Sequence, residues 1–214
     1  MILRIVCLVM GYCFGMIQWA YILGKKHGID IREHGSGNSG TTNAIRVMGP
    51  RTGILVFLLD MGKSLAAILL TGLLFGKTHP EMVYLLKMYT IAGCVLGHDF
   101  PFYMNFKGGK GVAVLAGFVI AFHISFLPVA LLLFFVPFLV THYVSLGSLL
   151  LYAGVLIQLI IEGQCGVFSP TPQKYLVEMY VIQAFLSGMA WYRHRANIKR
   201  LISGTESKTY LGKH

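Results

Sequence analysis

The chain is poor in charge. Only 12% of its 214 residues are charged, and only 8 are acidic. Soluble domains carry roughly 25% charged residues, so a soluble globule is excluded. Disorder is excluded too, because 56% of the residues are hydrophobic and disorder needs low hydrophobicity. Metal-ligand patterns are missing. Cys7, Cys13, Cys94 and Cys165 have no CxxC spacing, and no histidine forms an HxxxH or HxxE pair. The first three cysteines fall in apolar stretches, where buried thiols are usual, so neither metal nor disulfide is expected. The phosphate-loop pattern GxxxxGK[ST] is absent. So is an internal repeat, which an inverted-repeat transporter would show. With no long linker either, residues 1–214 read as one integral membrane domain.

What is present is long apolar sequence. A membrane-spanning helix takes about 20 mostly apolar residues. Ile2 to Leu23 fits, interrupted only by Arg4 and Gln18. A cleaved leader is the competing reading, but Lys25, Lys26 and His27 stand where a small-residue cleavage site belongs. Gly53 to Phe75 follows, with Asp60 and Lys63 three apart on one helical face. Met82 to Leu96 is shorter, and Lys87 near its start can snorkel outward. The greasy region Val112 to Ile161 is too long for one helix. Pro128, Pro137 and the polar patch Thr141 to Ser148 divide it into helices over 112–126, 129–141 and 146–162. Tyr175 to Trp191 is the last. The fold class is therefore all-α, a polytopic bundle of seven spans with two short ones. A five-span version merges the middle region.

With seven spans, loop 25–51, loop 98–111, turn 141–148 and tail 193–214 share one side. Thirteen of the 18 lysines and arginines fall there. Basic residues concentrate on the cytoplasmic side, which puts the amino terminus outside and the tail in the cytoplasm.

The polar sequence gathers on that same side. In the first run, Gly35, Gly37 and Gly40 alternate with Ser36, Asn38, Ser39, Thr41, Thr42 and Asn43, and Arg46 follows. Glycines let several backbone N–H groups converge on an anion, and arginine's fork suits phosphate oxygens. A flexible surface loop is the plainer explanation, though the run is unusually long and donor-dense for a membrane protein. In the second run, Lys107, Gly108, Gly109, Lys110 and Gly111 precede a helix start, a ready anion site. Topology alone would need the lysines but not the glycines. Ser145 and Ser148 open the next helix, where a serine is also an ordinary cap. The fourth run holds His194 and Asn197, one turn apart, among Arg193, Arg195, Lys199 and Arg200. Its arginines equally suit anionic lipid headgroups. Together the runs describe anion ligands at the lip of an apolar bundle, suited to a ligand with a phosphate and a lipid tail.

These motifs, in this order, resemble the bacterial acyl-phosphate:glycerol-3-phosphate acyltransferases. The residues that carry the resemblance are Gly35 to Asn38, Asn43 and Arg46; Asp60 and Lys63; Gly97, His98, Pro101 and Phe106 to Gly111; Ser145 and Ser148; and His194 to Arg200 with Gly204 to Glu206. Ser39, Thr41 and Ser64 depart from the usual residues but stay small. The resemblance implies a seven-helix bundle in a bacterial inner membrane. It implies transfer of a fatty acyl group from acyl phosphate to the 1-hydroxyl of glycerol 3-phosphate, the first acylation of phospholipid synthesis. It implies no metal or other cofactor, and neither a nucleic acid nor an obligatory protein partner besides substrates and membrane lipids. By carry-over, Ser36, Gly37, Asn38, Thr41, Asn43, Arg46, Lys107, Gly108, Gly109, Lys110 and Gly111 are expected at phosphates. Ser145, Ser148, His194 and Asn197 are expected to hold glycerol 3-phosphate. His194, Asn197, Ser145 and Lys107 are the expected catalytic, positioning set. An acyl phosphate has a good leaving group, so positioning and charge stabilisation suffice. The attacking hydroxyl passes its proton to the donor phosphate in one version, and to His194 or His98 in another. A transporter or channel for phosphorylated solutes, or a non-catalytic membrane subunit, is the competing class.

Overall fold

In the structure, a computed structural model, residues 1–210 are described. The end of the tail, including Lys213, lies outside the described residues. The helices are α1 (Ile2–Gly15), α2 (Trp19–Lys26), α3 (Thr41–Phe75), α4 (Val83–Asp99), α5 (Val112–Phe122), α6 (Phe126–Thr141), α7 (Val144–Gln164), α8 (Gln173–Arg193) and α9 (Arg195–Ile202). Single 3-10 turns sit at Ile31–Glu33 and Phe102–Met104, and no strand occurs among the described residues. The all-helical expectation holds. Three stretches, Ile2–Lys26, Thr41–Phe75 and Val144–Gln164, are long and apolar enough to cross a membrane. Helices α5 and α6 are apolar but short.

Boundaries differ from the sequence reading where polar or cyclic residues act locally. The first apolar stretch breaks between α1 and α2. Buried Gln18 turns its amide onto the carbonyl of His98 at 2.8 Å, and its backbone leaves the helix to do so. The segment expected as loop through residue 51 is already helical from Thr41. A kink follows at Gly49, whose φ of 84° suits glycine, just before Pro50. The break expected near Pro128 falls at His123 to Ser125 instead, because a proline in the first helical turn loses no intrahelical bond.

Helix α4 is central. Its Leu85, Leu86, Met88 and Ile91 are fully buried against Phe118 of α5, Tyr152 of α7 and Leu186 of α8. Helix α1 lies closest of all to it. Gly11 and Gly15 on α1 face Gly93 and Gly97 on α4, a GxxxG spacing on both partners. A Cβ at Gly97 would enter the carbonyl of Tyr12, and one at Gly93 the carbonyl of Leu8. Lipid gives helices no hydrophobic reason to associate, so close backbone packing supplies the attraction. The amino-terminal end of α1 is tied by a fork: Arg4 donates to both oxygens of Glu178 at 2.7 and 2.9 Å. At the other end, the Tyr12 hydroxyl donates to the Phe100 carbonyl at 2.8 Å and the Tyr103 hydroxyl to that of Met16 at 2.6 Å. Helix α5 packs mainly on α3, and α6 mainly on α7. The two therefore diverge from their shared turn, leaving an apolar groove between them.

Candidate active site

The first polar run folds around Asn43. Its Oδ1 accepts the N–H of Ser36 at 2.8 Å, and its Nδ2 donates to the carbonyls of His34 at 3.0 Å and Ile31 at 3.2 Å. Gly35 has φ 59°, and Asn43 Oδ1 occupies the place a Cβ there would take. Asn43 thus shapes the loop from beneath while still reaching the cavity wall. Ser39 is buried and donates to Gln18 at 3.2 Å, which anchors the loop to the helix break. Asp30 takes a fork from Arg32, and those hydrogen bonds hold its carboxyl well below the usual range.

The second run is built differently from the simple anion nest its glycines suggest. The Gly108 N–H is already bonded to the Asp99 carbonyl, and that of Gly109 to the His98 carbonyl, both at 3.0 Å. Arg193 donates to the carbonyls of both glycines at 3.1 and 2.6 Å, and Asn38 donates to that of Gly108 at 3.3 Å. Arg193 is therefore spent on this loop rather than on lipid. The Gly108 and Gly109 peptides lend rigidity, not free donors. Gly111, with φ 70°, turns the chain into α5, whose first backbone-paired N–H is that of Leu115 on Gly111. Val112 and Ala113, in the first turn before it, face the cavity, as expected of a helix start.

The runs meet in one polar cavity of about 150 Å³. Ser36, Asn38, Thr41, Asn43 and Arg46 line it from the α3 side, and Ser145, Ser148, His194 and Asn197 from the α7–α9 side. Lys110 lies between them. The expected residues Gly37, Lys107, Gly108, Gly109 and Gly111 are not in the lining, and Lys107 is exposed. The sequence reading did not place Phe57, Asp60, Phe134, Arg200 or Glu206 there.

Glu206 organises the far wall. It accepts from Asn197 at 2.6 Å, Ser145 at 2.8 Å and Arg200 at 2.6 Å. Burial works to raise its carboxyl, but the bonds from Asn197, Ser145 and Arg200 outweigh that and hold it low. Asn197 also accepts from Lys110 at 2.5 Å. Burial lowers the Lys110 ammonium to about 8. The His194 Nδ1 lies 2.8 Å from the Ala190 carbonyl, which can only accept, so Nδ1 carries the proton and Nε2 the lone pair. Burial first, then Lys110, pull His194 down to about 4.

Beneath this wall, Lys63 sits buried among three partners: Asp60 Oδ1 at 2.7 Å, the Ile17 carbonyl at 2.6 Å and His98 Nδ1 at 3.0 Å. The α5–α6 groove, about 240 Å³ and almost wholly apolar, joins the polar cavity through Phe57, Val112 and Phe134, which line both.

A donor-lined cavity that meets an apolar groove agrees with the comparisons. The model of the family described as glycerol-3-phosphate acyltransferase matches residues 5–204. The chain belongs to the glycerol-3-phosphate acyltransferase family. Among relatives, a glycerol-3-phosphate acyltransferase of Bacillus cytotoxicus is 35% identical over 214 residues, covering 100% of this chain and 98% of that protein. One of Shouchella clausii is 40% identical over 206 residues, covering 95% of this chain and 93% of its own. The glycerol 3-phosphate form of PlsY (YgiH), an integral membrane glycerol 3-phosphate acyltransferase, superposes with a TM-score of 0.82 at 32% identity, covering 97% and 96% of the two chains. The lysophosphatidic acid form of PlsY gives 0.79 at 31%. This member of the acyltransferase family is an integral membrane protein.

Proposed function

We propose that the chain transfers a fatty acyl group from acyl phosphate to the 1-hydroxyl of sn-glycerol 3-phosphate, giving lysophosphatidic acid and inorganic phosphate. The observation that carries this reading is the junction at Phe57, Val112 and Phe134 between a polar cavity and an apolar groove. An acyl phosphate has that shape, with a charged head and a long tail. Its head lies between Arg46 and Lys110, with the tail in the groove. Glycerol 3-phosphate is held by Ser145, Ser148, His194 and Asn197. The hydroxyl oxygen attacks the acyl carbon, the bond to the phosphate oxygen breaks, and the hydroxyl proton passes to the departing phosphate. Pre-set donors around the developing charge lower the barrier. The free Nε2 of His194 supports a second version in which that nitrogen takes the proton first.

The cavity lies among the loops that carry most of the basic residues, which supports an active site facing the cytoplasm of a bacterial inner membrane, with the amino terminus outside. Seven spans accommodate this, with α5 and α6 as short ones. Purified protein in detergent or lipid is mixed with palmitoyl phosphate and glycerol 3-phosphate. Phosphate and lysophosphatidic acid appear in equal amounts. No product under either condition refutes the reading, and product only with an acyl thioester replaces the donor. Changing His194 to Gln separates the two proton routes. Turnover that collapses with binding intact favours the histidine.

A further inference from the structure

We propose that His98 donates a hydrogen bond from Nε2 to the head of the acyl donor and takes no proton, its tautomer being set by Lys63. The inference rests on the acyltransferase reading and deepens it.

The argument starts with hydrogen counting. A lysine ammonium has three N–H groups and no lone pair. Lys63 has three neighbours in reach, and two of them, Asp60 Oδ1 and the Ile17 carbonyl, can only accept. The third is His98 Nδ1 at 3.0 Å. Facing an ammonium, Nδ1 presents its lone pair, so the ring's proton sits on Nε2. This is opposite to His194, whose Nδ1 faces a carbonyl. The two histidines of the cavity thus have complementary faces, one a donor and one an acceptor.

The ring cannot easily turn over. Its backbone carbonyl holds both Gly109 N–H and the Gln18 amide. The Gly109 α-carbon packs against the ring edge that carries Nε2, so closely that a Cβ there would overlap it. A flipped ring would also set a C–H toward Lys63. His98 Nε2 has no protein partner among the described residues. The residue is 2% exposed, and that sliver opens on the cavity. Nε2 is not among the sealed, unpaired side-chain atoms of the described residues, so it reaches the cavity and offers its N–H there to a ligand oxygen. Asp60, beside His98, lies one helical turn from Phe57, at the junction of cavity and groove. An acyl phosphate spanning the junction puts its phosphoryl and carbonyl oxygens there. Both gain negative charge during transfer.

The test compares His98→Gln with His98→Ala. The glutamine amide N–H reproduces Nε2–H but has no basic nitrogen. We expect His98→Gln to keep kcat within about tenfold of the unchanged protein and His98→Ala to lose about 10²–10³-fold, as for removal of an oxyanion donor. Equal inactivity of both folded variants makes His98 a base and overturns the proposal. So does an alanine variant with undiminished kcat. If either variant fails to fold, NMR of isotope-labelled histidine in the unchanged protein decides. The proton is expected on Nε2, with its resonance shifting when a non-transferable acyl phosphonate binds. A proton on Nδ1, or a resonance indifferent to the phosphonate, overturns it. If the unchanged protein transfers no acyl group, the functional reading fails instead, while the NMR tautomer is still read.

Discussion

Replacing Gly97 by alanine tests how far the active site depends on the α1–α4 seam. The added Cβ would stand inside the Tyr12 carbonyl and press the Met16 N–H at 2.9 Å. Neither is a flexible side-chain tip, so the backbones must part by roughly an ångström to restore contact distance. Overpacking of this kind costs about 1–3 kcal/mol. The damage extends beyond stability, because the seam carries the site. Gln18, just past α1, holds the His98 carbonyl, Ile17 supplies an acceptor to Lys63, and Tyr12 holds Phe100. Misplacement by an ångström can cost about a hundredfold in rate. We expect Gly97→Ala to melt at a lower temperature in detergent and to lose ten- to a hundredfold in kcat, with a smaller change in KM. Gly62→Ala and Gly188→Ala are the controls, since nothing lies within 4 Å of a Cβ at either position. They should be neutral or gain about 0.4–1 kcal/mol by restricting the unfolded chain. A Gly97→Ala protein with unchanged melting and turnover refutes the reasoning. So does one no worse than the controls.

Three further outcomes follow from the cavity. Lys110 deprotonates as pH rises through about 8, so its attraction for a substrate anion is present below that and lost above. KM for a phosphate substrate should climb on the alkaline side, and Lys110→Arg should move that limb upward; a flat KM removes Lys110 from phosphate binding. Glu206→Gln weakens the hold on Arg200 and Asn197, and charge-assisted bonds are worth about 1.5–3 kcal/mol. KM for glycerol 3-phosphate should rise about tenfold or more, and an unchanged KM assigns Glu206 to the tail alone. Ala116→Phe fills the apolar groove, and each displaced methylene forfeits about 0.8 kcal/mol. Palmitoyl phosphate should be used at least tenfold less well and a short-chain acyl phosphate nearly normally; equal loss for both contradicts a tail in the groove.

The apolar stretches and the polar runs were readable because each leaves a local mark: long greasy sequence, or donors packed between glycines. Eleven expected residues, from Ser36 to Asn197 and including His98, come together in the cavity for that reason. What was hidden depends on partners far along the chain. Nothing around Arg193 distinguishes a lipid-facing arginine from one that caps Gly108 and Gly109. Asp60 and Lys63 show in the sequence only as two residues on one helical face, because His98 joins them only through the packing of α4 on α3. Gly11, Gly15, Gly93 and Gly97 carry a signal of their own, the GxxxG spacing, but Gly97 also opens the polar run with His98, which masks its packing role. Lys107 shared every local feature with Lys110, yet only Lys110 starts the turn into the cavity.

The apolar groove is not closed. Leu131 and Phe135, on its wall, are 46% and 42% exposed in a helix of the membrane bundle, so its side faces acyl chains rather than water. For the proposed reaction, the two substrates then arrive from different phases. Glycerol 3-phosphate is counted per volume of water, but the donor is counted per area of bilayer. Diluting the membrane with inert lipid slows the reaction at constant total donor, and the lipid product escapes sideways without crossing water. If the proposed donor enters there, the opening between α5 and α6 makes the kinetics two-dimensional in one substrate and three-dimensional in the other.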